Sequence, residues 1–67
     1  MKRRDLIREL LRISETQGLS LTLTEGSRHT KIRIGEWRSV IPRHREIDES
    51  LARSIIRNCR AALEGTR

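Results

Sequence analysis

Three side chains in one short stretch have the types and spacing to act on a phosphate ester. In Gly26-Ser27-Arg28-His29-Thr30-Lys31-Ile32-Arg33, the residues His29, Lys31 and Arg33 fall at alternate positions. An extended chain sends alternate side chains to opposite faces, so these three share one face and Thr30, Ile32 and Ile34 the other. Imidazole is the side chain that exchanges protons near neutral pH, and fixed cations beside it suit an anionic phosphate. Metal-free RNA cleavage asks for such a set. A base takes the 2′-OH proton, an acid protonates the leaving 5′ oxygen, and cations offset the charge of the phosphorane. His29 is the expected base. Lys31, Arg33 and the adjacent Arg28 are expected to hold the phosphate, with Ser27 or the Gly26 backbone positioning it. A lone turn histidine is more often simply solvated, so the surrounding chain has to justify this reading.

The elements that must position these residues read in order. Residues 2–16 carry Leu6, Ile7, Leu10, Leu11 and Ile13 on one broad helical stripe, and Gly18 suits a left-handed C-cap. Asp5 with Arg8, and Glu9 with Arg12, are spaced for modest i, i+3 support. Residues 19–24 alternate strictly, with Leu19, Leu21 and Leu23 on one side, and predict a half-buried strand. Glu25-Gly26-Ser27 turns the chain. Residues 28–34 and 37–42 predict two strands joined by Gly35-Glu36, a two-residue hairpin turn of the Gly-X type. That turn sets Ile34 opposite Trp37, Ile32 opposite Ser39 and Thr30 opposite Ile41 on the core face. On the other face it sets Arg33 opposite Arg38, Lys31 opposite Val40 and His29 opposite Pro42. Placing Arg33 across from Arg38 costs stability through repulsion, which a face that binds an anion would offset and which splayed side chains would also relieve. Asp48 or Ser50 can cap a final helix over 49–63 with Leu51, Ala52, Ile55, Ile56, Cys59, Ala62 and Leu63 on its apolar face. Gly65 is expected to end it, leaving 65–67 as a short mobile tail.

The order α-β-β-β-α predicts an α+β fold. Its simplest assembly is a three-stranded antiparallel sheet with both helices on one face. The open face would carry His29, Lys31, Arg33 and Arg38 beside the hydroxyls of the first strand. This is the layout of double-stranded-RNA-binding domains.

Composition supports a polyanionic partner. The 67 residues form a single expected domain, 1–67, with fifteen Lys and Arg against nine Asp and Glu, a net charge of +6. Only Lys2 and Lys31 are lysines, and the guanidinium fork suits phosphate better than the ammonium point charge. With one Trp and no Phe or Tyr, an aromatic stacking platform for single strands is not expected. One Cys and two His exclude an intrachain disulfide and a four-ligand Cys/His metal site, and no cofactor is expected. Met1-Lys2-Arg3-Arg4 is basic like the start of a signal peptide, but Asp5, Arg8, Glu9 and Arg12 follow where an apolar block would stand. No apolar run nears the length of a membrane span, and the lone thiol suits a reducing cytosol, so a cytoplasmic location is expected.

The chain resembles the HicA toxin family over nearly its whole length. The resemblance rests on Lys2-Arg3-Arg4-Asp5-Leu6-Ile7, Gly26-Ser27-Arg28-His29, Lys31-Ile32-Arg33, Arg38-Ser39-Val40-Ile41-Pro42-Arg43-His44 and the closing helix around Leu51 to Ile56. It implies a small ribonuclease toxin with a double-stranded-RNA-binding-like fold that cleaves mRNA and is neutralised by a HicB-like antitoxin protein. It also implies His29 as the catalytic residue. Arg38, Arg43 and His44 join Ser27, Arg28, Lys31 and Arg33 as expected RNA contacts. Many members place the histidine directly after Gly-Ser, whereas Arg28 intervenes here. A one-residue shift along a strand reverses the face, so the presentation of His29 depends on whether residue 28 is turn or strand. His44 leaves the hairpin close to His29 and is expected to contact backbone near the last helix or to take part in binding, with a role as the second acid left open. Two other readings share the basic face. One is a non-catalytic RNA-binding module that reads phosphates and 2′-OH groups. The other is a small subunit that docks an acidic protein partner.

Overall fold

A computed structural model describes residues 1–64, and the expected Gly65 cap and terminal tail lie outside the described residues. The chain runs α1 (Arg3–Thr16), β1 (Leu21–Glu25), β2 (His29–Ile34), β3 (Trp37–Pro42) and α2 (Glu49–Leu63). The strands form an antiparallel sheet in the order β1-β2-β3. The architecture is the expected α+β arrangement, and the β2–β3 register matches the expected one pair for pair, from Ile34 opposite Trp37 to His29 opposite Pro42. Gly35 has φ +58 and Glu36 a negative φ, as a Gly-X turn requires.

One core holds the layers together. Leu6, Leu10 and Ile13 of α1 meet Ile32, Ile34 and Ile41 of the sheet and Ala52, Ile55 and Cys59 of α2, with Ile47 closing one end. Trp37 packs at its margin, half-buried. The buried stripe of α1 is narrower than the sequence suggested. Leu6, Leu10, Ile13 and Ser14 are buried while Leu11, a hundred degrees around the helix from Leu10, is 41% exposed. Ser14 occupies the inward position instead, and its hydroxyl donates to the Leu11 carbonyl at 2.6 Å. On α2, Leu51 and Ala62 are likewise exposed rather than on the apolar face. The Asp48 carboxylate caps α2 by accepting from the Ser50 and Leu51 N–H groups.

The first strand starts two residues later than the alternation suggested. Leu19 is consumed by the end of α1. Its N–H donates to the Ser14 carbonyl at 2.9 Å while the Gly18 N–H donates to Glu15, a Schellman arrangement centred on Gly18 at φ +68. The Leu19 side chain then lies against Gly35 of the hairpin. The inward alternation instead continues past Leu23 to Glu25, which pairs with the buried Thr30.

A second pairing ties the chain's beginning to the exit of β3. The Ile47 N–H donates to Met1 O at 2.7 Å and the Arg3 N–H to Arg45 O at 2.8 Å, with Lys2 bridged to Glu46 between them. The start of α1 is thereby held beside the segment that follows Pro42.

Candidate functional site

β2 presents its polar side chains as the alternation requires, with His29, Lys31 and Arg33 exposed and Thr30, Ile32 and Ile34 buried. Residues 26–28 are turn, and β2 begins at His29, so Arg28 lies outside the ladder and the face of His29 is fixed by the strand. The expected site residues divide between two adjoining grooves. Ser27, Arg28, His29, Pro42, Arg43 and His44 line the first, at one end of the sheet. Lys31, Arg33 and Arg38 line the second, on the open sheet face, with the Thr22 and Thr24 hydroxyls of β1 and the exposed Val40. No acidic side chain lines either groove among the described residues. The two histidines therefore share one cavity, beside guanidinium groups.

The turn that carries His29 is tightly built. The Gly26 N–H donates to the His29 carbonyl at 2.8 Å, and the Arg43 N–H donates to the Arg28 carbonyl at 3.2 Å. A methyl on Gly26 would stand 2.9 Å from the His29 carbonyl oxygen. Glycine is required here by close approach of backbone, whereas Gly18 and Gly35 are required by positive φ.

Glu25 anchors this turn from behind. Thr30 Oγ1 donates to Glu25 Oε1 at 2.7 Å, and Arg3 Nη2 donates both to Thr30 Oγ1 and to Glu25 Oε2. Arg43 completes the set, with Nε 3.2 Å from Glu25 Oε1 and Nη1 donating to the Gly26 carbonyl at 2.8 Å. The Thr30 hydroxyl bond, then Arg3 and Arg43, hold the Glu25 carboxyl below the ordinary carboxylate range. Arg43, expected as a phosphate contact, is thus engaged in bracing the turn and still lines the groove. Neither Glu25 nor Arg3 was expected to take part. The available signal was the alternation itself, which puts Glu25 on the same face as Leu21 and Leu23, opposite Thr30.

Arg33 folds back so that its Nε donates to the Gly35 carbonyl at 3.2 Å, while it still stands opposite Arg38 across the ladder. Cys59 packs in the core, where desolvation raises its thiol pKa. Arg57 and Arg60 are exposed on α2, Arg60 lying 4.0 Å from Glu9. Among the described residues no helix is long and apolar enough to cross a membrane, and no three His, Cys, Asp or Glu side chains cluster as metal ligands would.

The sheet-face groove thus carries Lys31, Arg33 and Arg38 with two threonine hydroxyls, and the end groove carries two imidazoles with Arg28 and Arg43. No family model matches this chain, and no curated protein or solved structure shows similarity to it.

Proposed function

We propose that this chain is a metal-independent endoribonuclease that acts on mRNA, a toxin of the HicA kind. The observation that carries the reading is the groove in which His29 and His44 stand with Ser27, Arg28 and Arg43, adjoining the cationic sheet face. In the reaction, the neutral His29 imidazole accepts the proton of a ribose 2′-OH as that oxygen attacks the adjacent phosphorus. The bond from phosphorus to the 5′ oxygen breaks, and the departing oxygen takes a proton from a second acid, water or the His44 imidazolium. The products are a 2′,3′-cyclic phosphate and a free 5′-OH. Arg28 and the free donors of Arg43 offset charge on the phosphorane. Lys31, Arg33 and Arg38 hold neighbouring phosphates and contribute affinity rather than chemistry.

A second reading has one observation in its favour. Among the described residues neither imidazole has a hydrogen-bonded carboxylate to orient it, as catalytic histidines commonly do. That favours a module that binds RNA without cutting it. Induction of the wild-type chain and of His29→Ala in a bacterial host separates the two. Growth arrest with loss of mRNA that disappears in the variant supports the nuclease. Arrest that persists in His29→Ala with intact mRNA supports binding alone. The partner expected for the nuclease is a HicB-like antitoxin that covers the basic groove.

A further inference from the structure

A third groove lies beside the histidine cavity and belongs to neither of the grooves already described. Lys2, Arg3, Arg4, Arg43 and Arg45 line it, so every lining side chain is cationic. These residues come from two distant segments, the start of α1 and the exit of β3. Backbone bonds from Arg3 to Arg45 and between Met1 and Ile47 pin the segments together. Glu25 pairs with Arg3 and Arg43 from behind, which leaves Lys2, Arg4 and Arg45 as like charges gathered by the fold at a cost in repulsion. Lys2, Arg4 and Arg45 are exposed, and among the described residues none of their side chains is hydrogen-bonded or ion-paired. One further feature marks the place. Arg3 Nε is buried without an acceptor.

Arg43 lines both this groove and the histidine cavity, so the two are contiguous. We infer that the Lys2–Arg4–Arg45 groove is a phosphate cradle that binds the RNA backbone beyond the cleaved bond. It gives the protein a track that enters along the sheet face and leaves beside the start of α1. The inference rests on RNA being the ligand of the histidine groove, but not on that groove being catalytic.

The test uses the full chain carrying His29→Ala, so that bound RNA stays intact, and a fluorescent single-stranded RNA dodecamer titrated over a range of salt. The cradle variant combines Lys2→Gln, Arg4→Gln and Arg45→Gln, all exposed side chains whose backbone bonds are retained. A matched variant, Arg53→Gln, Arg57→Gln and Arg60→Gln, removes the same charge from the outer face of α2. For single strands log K falls with log salt by roughly 0.7 per phosphate contact, so three lost contacts flatten the slope by about 2. The same relation makes each contact worth about fourfold at 0.15 M salt, so the cradle variant should bind about fifty-fold more weakly. The α2 variant should change affinity by only a few-fold. A cradle variant within twofold of its parent, or an α2 variant that weakens binding equally, overturns the cradle while leaving the nuclease reading intact. Absence of RNA binding by the parent also overturns it. RNA that binds with the expected slopes but is never cut by the wild-type chain upholds the cradle and refutes the nuclease.

Discussion

Gly26→Ala tests whether the turn, rather than the histidine alone, makes the site. The new methyl would stand 2.9 Å from the His29 carbonyl oxygen, against an ordinary contact range that begins at 3.4 Å. The obstructing atom is backbone, so no side-chain rotation relieves it. Opening the contact by about 0.5 Å, the difference of those distances, stretches the 2.8 Å Gly26 N–H bond to the same oxygen. Loss of that bond costs about 1 kcal/mol, with residual crowding adding a similar amount and the stiffer unfolded chain making folding more costly for Gly than Ala by about 0.4–1 kcal/mol in the opposite sense. The net expectation is about 1 kcal/mol, or a Tm lower by about 4–8 °C for a domain of this size. Because a 1 Å misplacement can cost on the order of a hundredfold, displacing His29 by half that should lower kcat about tenfold. Gly18→Ala is the control. Its methyl meets nothing within 4 Å, but its φ of +68 imposes left-handed strain of about 1–2 kcal/mol at the far end of α1. Thermal melts and RNA-cleavage kinetics on both variants should give similar losses of stability but a loss of kcat only in Gly26→Ala. Equal kcat in the two, or a Gly26→Ala chain as stable and active as the wild type, would show that the turn does not position His29.

Other perturbations read other parts of the structure. Glu25→Gln removes a carboxylate whose folded pKa is depressed by Thr30, Arg3 and Arg43. A depressed pKa contributes stability above the unfolded value that is lost as pH falls through the folded value. The wild type's Tm advantage over Glu25→Gln should therefore be full near neutrality and shrink in acid, and a gap independent of pH would contradict this. Arg38→Glu replaces a like-charge pair across from Arg33 by an opposite-charge one. It should raise stability by about 0.2–1 kcal/mol while weakening RNA binding, as melts and anisotropy titrations would show.

Much of this fold is legible in the residues, for identifiable reasons. A two-residue Gly-X turn between alternating strands leaves one register that buries Thr30, Ile32 and Ile34, so the pairing from Ile34–Trp37 to His29–Pro42 follows directly. The period of α2 and its Asp48 cap are equally local signals. Leu19 misleads because strand alternation and a Schellman end both favour an apolar residue there, and the hydrogen bond to Ser14 decides for the helix end. The candidate site is legible only in part. His29, Lys31 and Arg33 share a face by strand periodicity. The bracing of their turn by Glu25, Arg3 and Arg43 joins residues far apart in sequence, and no local pattern announces it. The Met1–Ile47 pairing is hidden for the same reason, and it is what brings the basic start of α1 to Arg45.

The chemistry of the cut ends decides whether His29 cleaves RNA without a metal. Purified wild-type chain and His29→Ala would be incubated with end-labelled RNA in excess EDTA, and the fragment termini identified by mass spectrometry. The wild type should leave 2′,3′-cyclic phosphate and 5′-OH termini, and the variant none. Undiminished cleavage by His29→Ala, cleavage that EDTA abolishes, or 5′-phosphate termini would contradict metal-independent cleavage by His29.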